Sequence, residues 1–159
     1  MRIVLPLPDG GWLDLFNGMH NRLVRRDREM KPIAEANFGP GAVARCRIYG
    51  MPDAPPFNLR GAAVAGPDRF LVATNRKLLF VFDGKLQVRE VIRLEAIPAF
   101  LIGLPGGDAL LALADGALGR IRDGKLDWCA RVGGKPLTAL ATPEGFAVGT
   151  DRGEVAVFR

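Results

Sequence analysis

The side chains best suited to chemistry are few and poorly placed for it. The chain of 159 residues contains no serine, so a serine nucleophile is excluded by composition. Its single imidazole, His20, sits in the turn-like stretch NGMHNR without a metal-ligand pattern around it. Asp115, Asp123 and Asp151 could form a carboxylate set for metal binding or acid–base work, but each stands where a tight turn needs a side chain that bonds its own backbone. The glycine pairs of LPGGD and VGGKP do not make the GxxxxGK[ST] pattern of a phosphate loop, and they read as turns. Trp12 and Trp128 could stack a ligand, yet one large aromatic per sheet is an ordinary core filler. These residues predict no catalytic set, no metal and no cofactor.

The chemistry that remains is charge. The net charge is +5, the pI is about 9.8, and NRLVRRDREMK gathers Arg22, Arg25, Arg26, Arg28 and Lys31 in one stretch. On a strand, Arg26 and Arg28 would share one face and Arg25 would take the other, with Asp27 and Glu29 interleaved. One reading is a solvated outer strand whose charges pair with each other and discourage edge pairing. The other is a surface for an acidic partner, nucleic-acid phosphate included, with Arg45 and Arg47 of AVARCRIYG joining it.

Those alternatives turn on the elements that carry the side chains. Apolar residues are 48% and charged residues 25%, ordinary for a folded domain, while 20 glycines and 12 prolines indicate many turns and an all-β fold. A chain of this size buries roughly 70% of its unfolded surface and needs no disulfide. Cys46 and Cys129 lie far apart in sequence and are expected as buried free thiols. No stretch of 18 apolar residues occurs, and Met1 to Gly11 is interrupted by Pro6, Pro8 and Asp9, so the expectation is no membrane span and a cytoplasmic location. The 17 arginines against 5 lysines, with one glutamine, suit a thermophile.

The organising feature is a repeat. Pro67, Pro105 and Pro143 head three turns spaced 38 residues apart, in AGPDRFLVATN, GLPGGDALLALAD and ATPEGFAVGTD. Each unit runs through an apolar segment, a proline-led turn, a second apolar segment closed at Asn75, Asp115 or Asp151, and a third segment. The stretch DGKL follows at Asp83 to Leu86 and at Asp123 to Leu126, a hairpin signal leading to an outer strand. Inner runs such as FLIGL and ALLALA are apolar on both faces, while LQVREVIRL puts Leu86, Val88, Ile92 and Leu94 on one parity and Gln87, Arg89 and Arg93 on the other. Four strands per unit and a period near 40 residues resemble the blades of β-propellers, in the architecture shared by WD-repeat and quinoprotein-like propellers. The resemblance covers residues 60–159 and implies a fold rather than a ligand. The WD and Gly-His signatures are absent, and Asp127-Trp128 begins an outer strand instead.

The N-terminal stretch fits a first unit, with a Pro8 turn in RIVLPLPDGGWLDLFN and outer strands in RLVRRDREM and KPIAEANF. From Pro8 to Pro67 is 59 residues, 21 more than one period, which places a non-repeat insertion at about 39–58 within one domain of 1–159. The expected fold is therefore an all-β propeller of about four blades, each of four antiparallel strands. The last blade, PLTALA, FAVGTD and EVAVFR, is one strand short. Its edge, Glu154, Val155, Ala156, Val157 and Phe158, is expected to pair with an extended segment: Met1 to Leu7, AVARCRIYG, a second copy in a shared ring, or another protein. The function expected is a non-catalytic interaction module, partnered by another protein or by itself as a homodimer. A nucleic-acid-binding protein using the arginines is the alternative.

Overall fold

The computed structural model describes residues 2–16, 21–37 and 58–159. The expected insertion at 39–58, carrying Arg45, Cys46, Arg47 and Tyr49, lies outside them apart from Asn58, as does His20.

The fold is all-β and propeller-like, with four antiparallel sheets of four, four, four and three strands. Sheet one contains β1 (Arg2–Pro6), β2 (Trp12–Phe16), β3 (Arg22–Arg26) and β4 (Pro32–Asn37). Sheet two contains β5 (Leu59–Val64), β6 (Arg69–Thr74), β7 (Leu78–Asp83) and β8 (Val88–Arg93). Sheet three contains β9 (Pro98–Gly103), β10 (Ala109–Leu113), β11 (Ala117–Arg122) and β12 (Lys125–Arg131). Sheet four contains β13 (Pro136–Thr142), β14 (Gly145–Thr150) and β15 (Val155–Phe158). Each sheet is a meander in which sequence neighbours pair, as short turns between strands dictate.

The sheets stack in series through three apolar layers. Leu13, Leu15 and Leu23 of sheet one meet Phe70, Val72 and Phe80 of sheet two. The opposite face of sheet two, with Leu71, Leu79 and Val81, meets Leu101, Leu111 and Ile121 of sheet three. Leu110, Ala112 and Leu118 then meet Phe146 and Val148 of sheet four, with Ala139 and Ala156 packed beside them. Alternation along a strand sends successive side chains to the two layers, so a strand between two sheets must be apolar at every position. ALLAL of β10 is buried throughout.

The turns fall where the repeat implies, but of the three closing residues only Asp115 bonds its own turn, while Asn75 and Asp151 tie theirs to the segment 17 and 16 residues back that enters the same sheet. Asn75 Oδ1 accepts the Asn58 amide at 2.9 Å, Asp151 Oδ1 accepts the Lys135 amide at 2.8 Å, and Asp115 Oδ1 accepts the Ala117 amide at 3.1 Å. The two DGKL stretches fold differently. Asp123 and Gly124 both take positive φ, 51° and 78°, and close a two-residue hairpin. In the first copy the loop is longer, Asp83 Oδ1 accepts the Lys85 and Gln87 amides, and Leu86 takes φ 56° while its side chain is buried in the layer between sheets one and two.

Three expectations are corrected. The single parity of LQVREVIRL is broken by a bulge. Phe82 faces Val88 while Val81 faces Glu90, so Arg89 is the extra residue and the strand changes phase there. Val88 and Val91 consequently pack toward sheet one, and Ile92 toward sheet three. Cys129 is exposed rather than buried, because it is the extra residue of the corresponding bulge in β12, where Leu118 faces Ala130 and Gly119 faces Trp128. Trp128 is likewise no core filler: it lies 48% exposed on the outer strand. Burial pushes the Cys129 thiol up from its ordinary value all the same.

Candidate interaction surface

The arginines of β3 are turned inward or occupied. Arg25 faces sheet two, where its guanidinium donates to Asp9 at 2.8 Å, Asp68 at 3.1 Å and the Gly84 carbonyl at 2.7 Å, and lies 5.5 Å from the Phe70 ring centre. It joins the turns of two sheets. Those hydrogen bonds hold its pKa above the ordinary arginine value although burial alone would lower it, and the Arg25 hydrogen bond, with one from the Gly11 amide, holds Asp9 below the ordinary carboxylate value.

Arg26 faces the other side, where its Nε donates to Asp14 at 2.6 Å. Arg2 donates to both oxygens of the same carboxylate at 3.0 and 3.1 Å, and Asp14 is fully buried beneath the two. Arg22 lies 3.7 Å from Glu35 and over the Phe16 ring. Arg28 does not share a strand face with Arg26, since β3 ends at Arg26 and the chain turns through Asp27 to Lys31. Its Nε donates to the Asp9 carbonyl at 2.7 Å. Each of the four arginines thus has a carboxylate, a carbonyl or a ring of the same chain beside it, although the buried Nε of Arg25 is left without a hydrogen-bond partner.

The outer face of sheet four is built in the opposite way. Cross-strand register places Leu140, Ala147 and Val157 in one row, and Thr138, Gly149 and Val155 in the next. The equivalent rows are Ile102, Leu110 and Arg120 with Phe100, Ala112 and Leu118 in sheet three, and Ala63, Leu71 and Val81 with Gly61, Ala73 and Leu79 in sheet two. In sheets two and three the apolar members of these rows pack on the next sheet, while Arg120 bonds Asp108 at the margin. In sheet four they are uncovered: Leu140 is 68%, Val155 71% and Val157 65% exposed, and Leu137, the extra residue of the β13 register shift, is 60% exposed beside them. Apolar side chains clustered and exposed in this way mark a contact surface.

The expected strand-pairing segment, Glu154 to Phe158, runs along the border of this surface. β15 pairs with β14 on one side, Val155 with Gly149 through Phe158 with Phe146. Among the described residues its other side has no strand beside it. Of the expected Met1 to Leu7, the described residues do not reach it, because Arg2–Pro6 is β1 and pairs with β2. AVARCRIYG lies outside the described residues. The face residues Leu137, Leu140 and Ala147 escaped the sequence reading, although PLTALA already shows leucines on a strand that belongs to the repeat.

Among the described residues no group of three or more His, Cys, Asp or Glu side chains could hold a metal ion, and no helix is long and apolar enough to cross a membrane.

No protein-family model matches the chain, and no curated protein matches it. Solved structures do. The Neurospora crassa Pan2 WD40 domain aligns at TM-score 0.67 and 15% identity over 94% of this chain and 42% of its own. The WD40 propeller domain of Doa1 aligns at 0.64 and 17% over 98% and 48%. BBS1N, solved in complex with ARL6DN, aligns at 0.62 and 16% over 92% and 45%. The chain therefore spans about half the length of each of these proteins, and what it shares with them is the β-propeller fold.

Proposed function

We propose that the chain is a non-catalytic β-propeller interaction module whose contact surface is sheet four, through its outer face and the free edge at Glu154 to Phe158. The carrying observation is the uncovered pair of rows around Leu140, Ala147, Val155 and Val157, at positions whose equivalents in sheets two and three, Arg120 apart, are packed between sheets. Burying an aliphatic side chain of this size contributes roughly 1.5–3 kcal/mol, so a partner that covers the rows gains from several at once. A like-folded chain, BBS1N, has been solved with ARL6DN bound, which is the kind of use proposed here. Nothing in the placement of Arg22, Arg25, Arg26 and Arg28 favours a nucleic-acid partner, since each already has acceptors or rings within the chain.

A photo-crosslinking amino acid placed at Leu140 or Val155 in cells tests the surface. Covalent protein adducts are expected from both positions and not from Lys125, which is exposed on β12. No adducts from sheet four beyond the Lys125 background would overturn the reading.

A further inference from the structure

Resting on that reading, we infer that the occupant of the outer face of sheet four is the same face of a second copy, related by a two-fold axis. Each layer between sheets is apolar on both sides, so an apolar sheet face is the surface that covers such rows elsewhere in this fold, and the same kind of face suits the rows at Leu140 and Val155. A second copy has two terminal sheet faces among its described residues. The outer face of sheet one carries the row Val4, Asp14, Val24 and Glu35, flanked by Arg2, Arg22 and Arg26. Packing Leu140 and Val157 there would strip water from the Arg2, Arg26 and Asp14 cluster without giving it a new partner, which is costly.

The outer face of sheet four is the other candidate, and it complements itself. It has aliphatic side chains in both rows, with the small residues Ala147 and Gly149 on the middle strand between them. Leucine and valine on the outer strands of one copy can therefore seat over the shallow centre of the other, in the large-against-small manner of packed layers. A two-fold contact uses one patch on both copies and closes at two, so it leaves no apolar face to propagate. Charged residues at the margin, Glu144, Glu154 and Arg159, stay at the rim.

Light scattering across a dilution series is the test. The chain should run at twice the 17.2 kDa of one copy. Leu140→Glu with Val157→Glu should raise the dimer Kd by about 10³-fold or more while the β-sheet spectrum is retained. Val4→Glu, on sheet one, should leave the dimer intact. A monomer at all concentrations, open assemblies larger than two, or a dimer broken as readily by Val4→Glu would each overturn the inference. A monomer whose photo-adducts contain a different protein would do so too, yet leave the interaction-module reading standing.

Discussion

At the scale of the residue, Arg25 shows why a cluster of basic side chains need not be a binding patch. Its guanidinium offers several donors in one plane, and the fold places Asp9, Asp68 and the Gly84 carbonyl where those donors point. Arg25→Ala should cost about 1–3 kcal/mol in urea unfolding, through lost hydrogen bonds and lost packing on Phe70. Asp9 carries a pH signature. Its folded pKa lies below the ordinary 3.8, so between the two values the unfolded chain binds more protons, and stability rises with pH there. The contribution is present above pH 3.8 and is lost as pH falls through the folded value. Asp9→Asn should therefore flatten the acid limb of the stability curve, and an unchanged limb would show that Arg25 does not hold Asp9 in solution.

At the scale of the element, β15 has two chemically different sides. The Thr150 amide donates to the Glu154 carbonyl at 2.9 Å, and antiparallel pairs alternate from there, so Ala156 exchanges hydrogen bonds with Val148 while the amides of Val155 and Val157 point away from β14. Proline should discriminate between them. Ala156→Pro removes a ladder donor and leaves a carbonyl of β14 unpaired, at about 1–3 kcal/mol. Val157→Pro removes only an outward donor and should stay within about 1 kcal/mol. Equal costs in chemical denaturation would contradict this register. Hydrogen exchange reads the same edge: in the assembled protein the Val155 and Val157 amides should exchange slowly if a partner covers them, and rapidly if contact is made by the face alone.

At the scale of the whole molecule, charge does not decide the partner. A net charge of +5 attracts polyanions, but among the described residues the arginines of the basic stretch, Arg22, Arg25, Arg26 and Arg28, each have an acceptor or a ring within the chain. Arg22→Ala with Arg28→Ala should leave the salt dependence of any binding to a short DNA duplex unchanged. A fall of about one unit of log–log slope per lost arginine would restore the nucleic-acid reading. What the whole molecule presents instead is a series of sheets with unlike ends: a charged face on sheet one and an apolar face on sheet four.

The period of 38 residues, the places of the turns and the fully apolar inner strands were legible without coordinates, because turn position and strand alternation are set by residues within a few positions of each other, but the bonds of Asn75 and Asp151 to amides 17 and 16 residues back were not. The same reasoning placed β15 at the end of a three-stranded last sheet. Phase and partnership were not legible. One extra residue at Arg89 or Cys129 reverses every side chain beyond it, and register shows such a bulge only when two strands are laid side by side. That is why Cys129 is exposed where burial was expected, whereas Trp128 precedes the extra residue and is exposed on the outer strand β12. The acceptors of Arg25 lie 16, 43 and 59 residues away in sequence, distances over which no spacing rule operates. Whether Leu140 and Val157 are core or surface was likewise decided only by whether another sheet lies over them, which is a property of packing between elements and not of the strand that bears them.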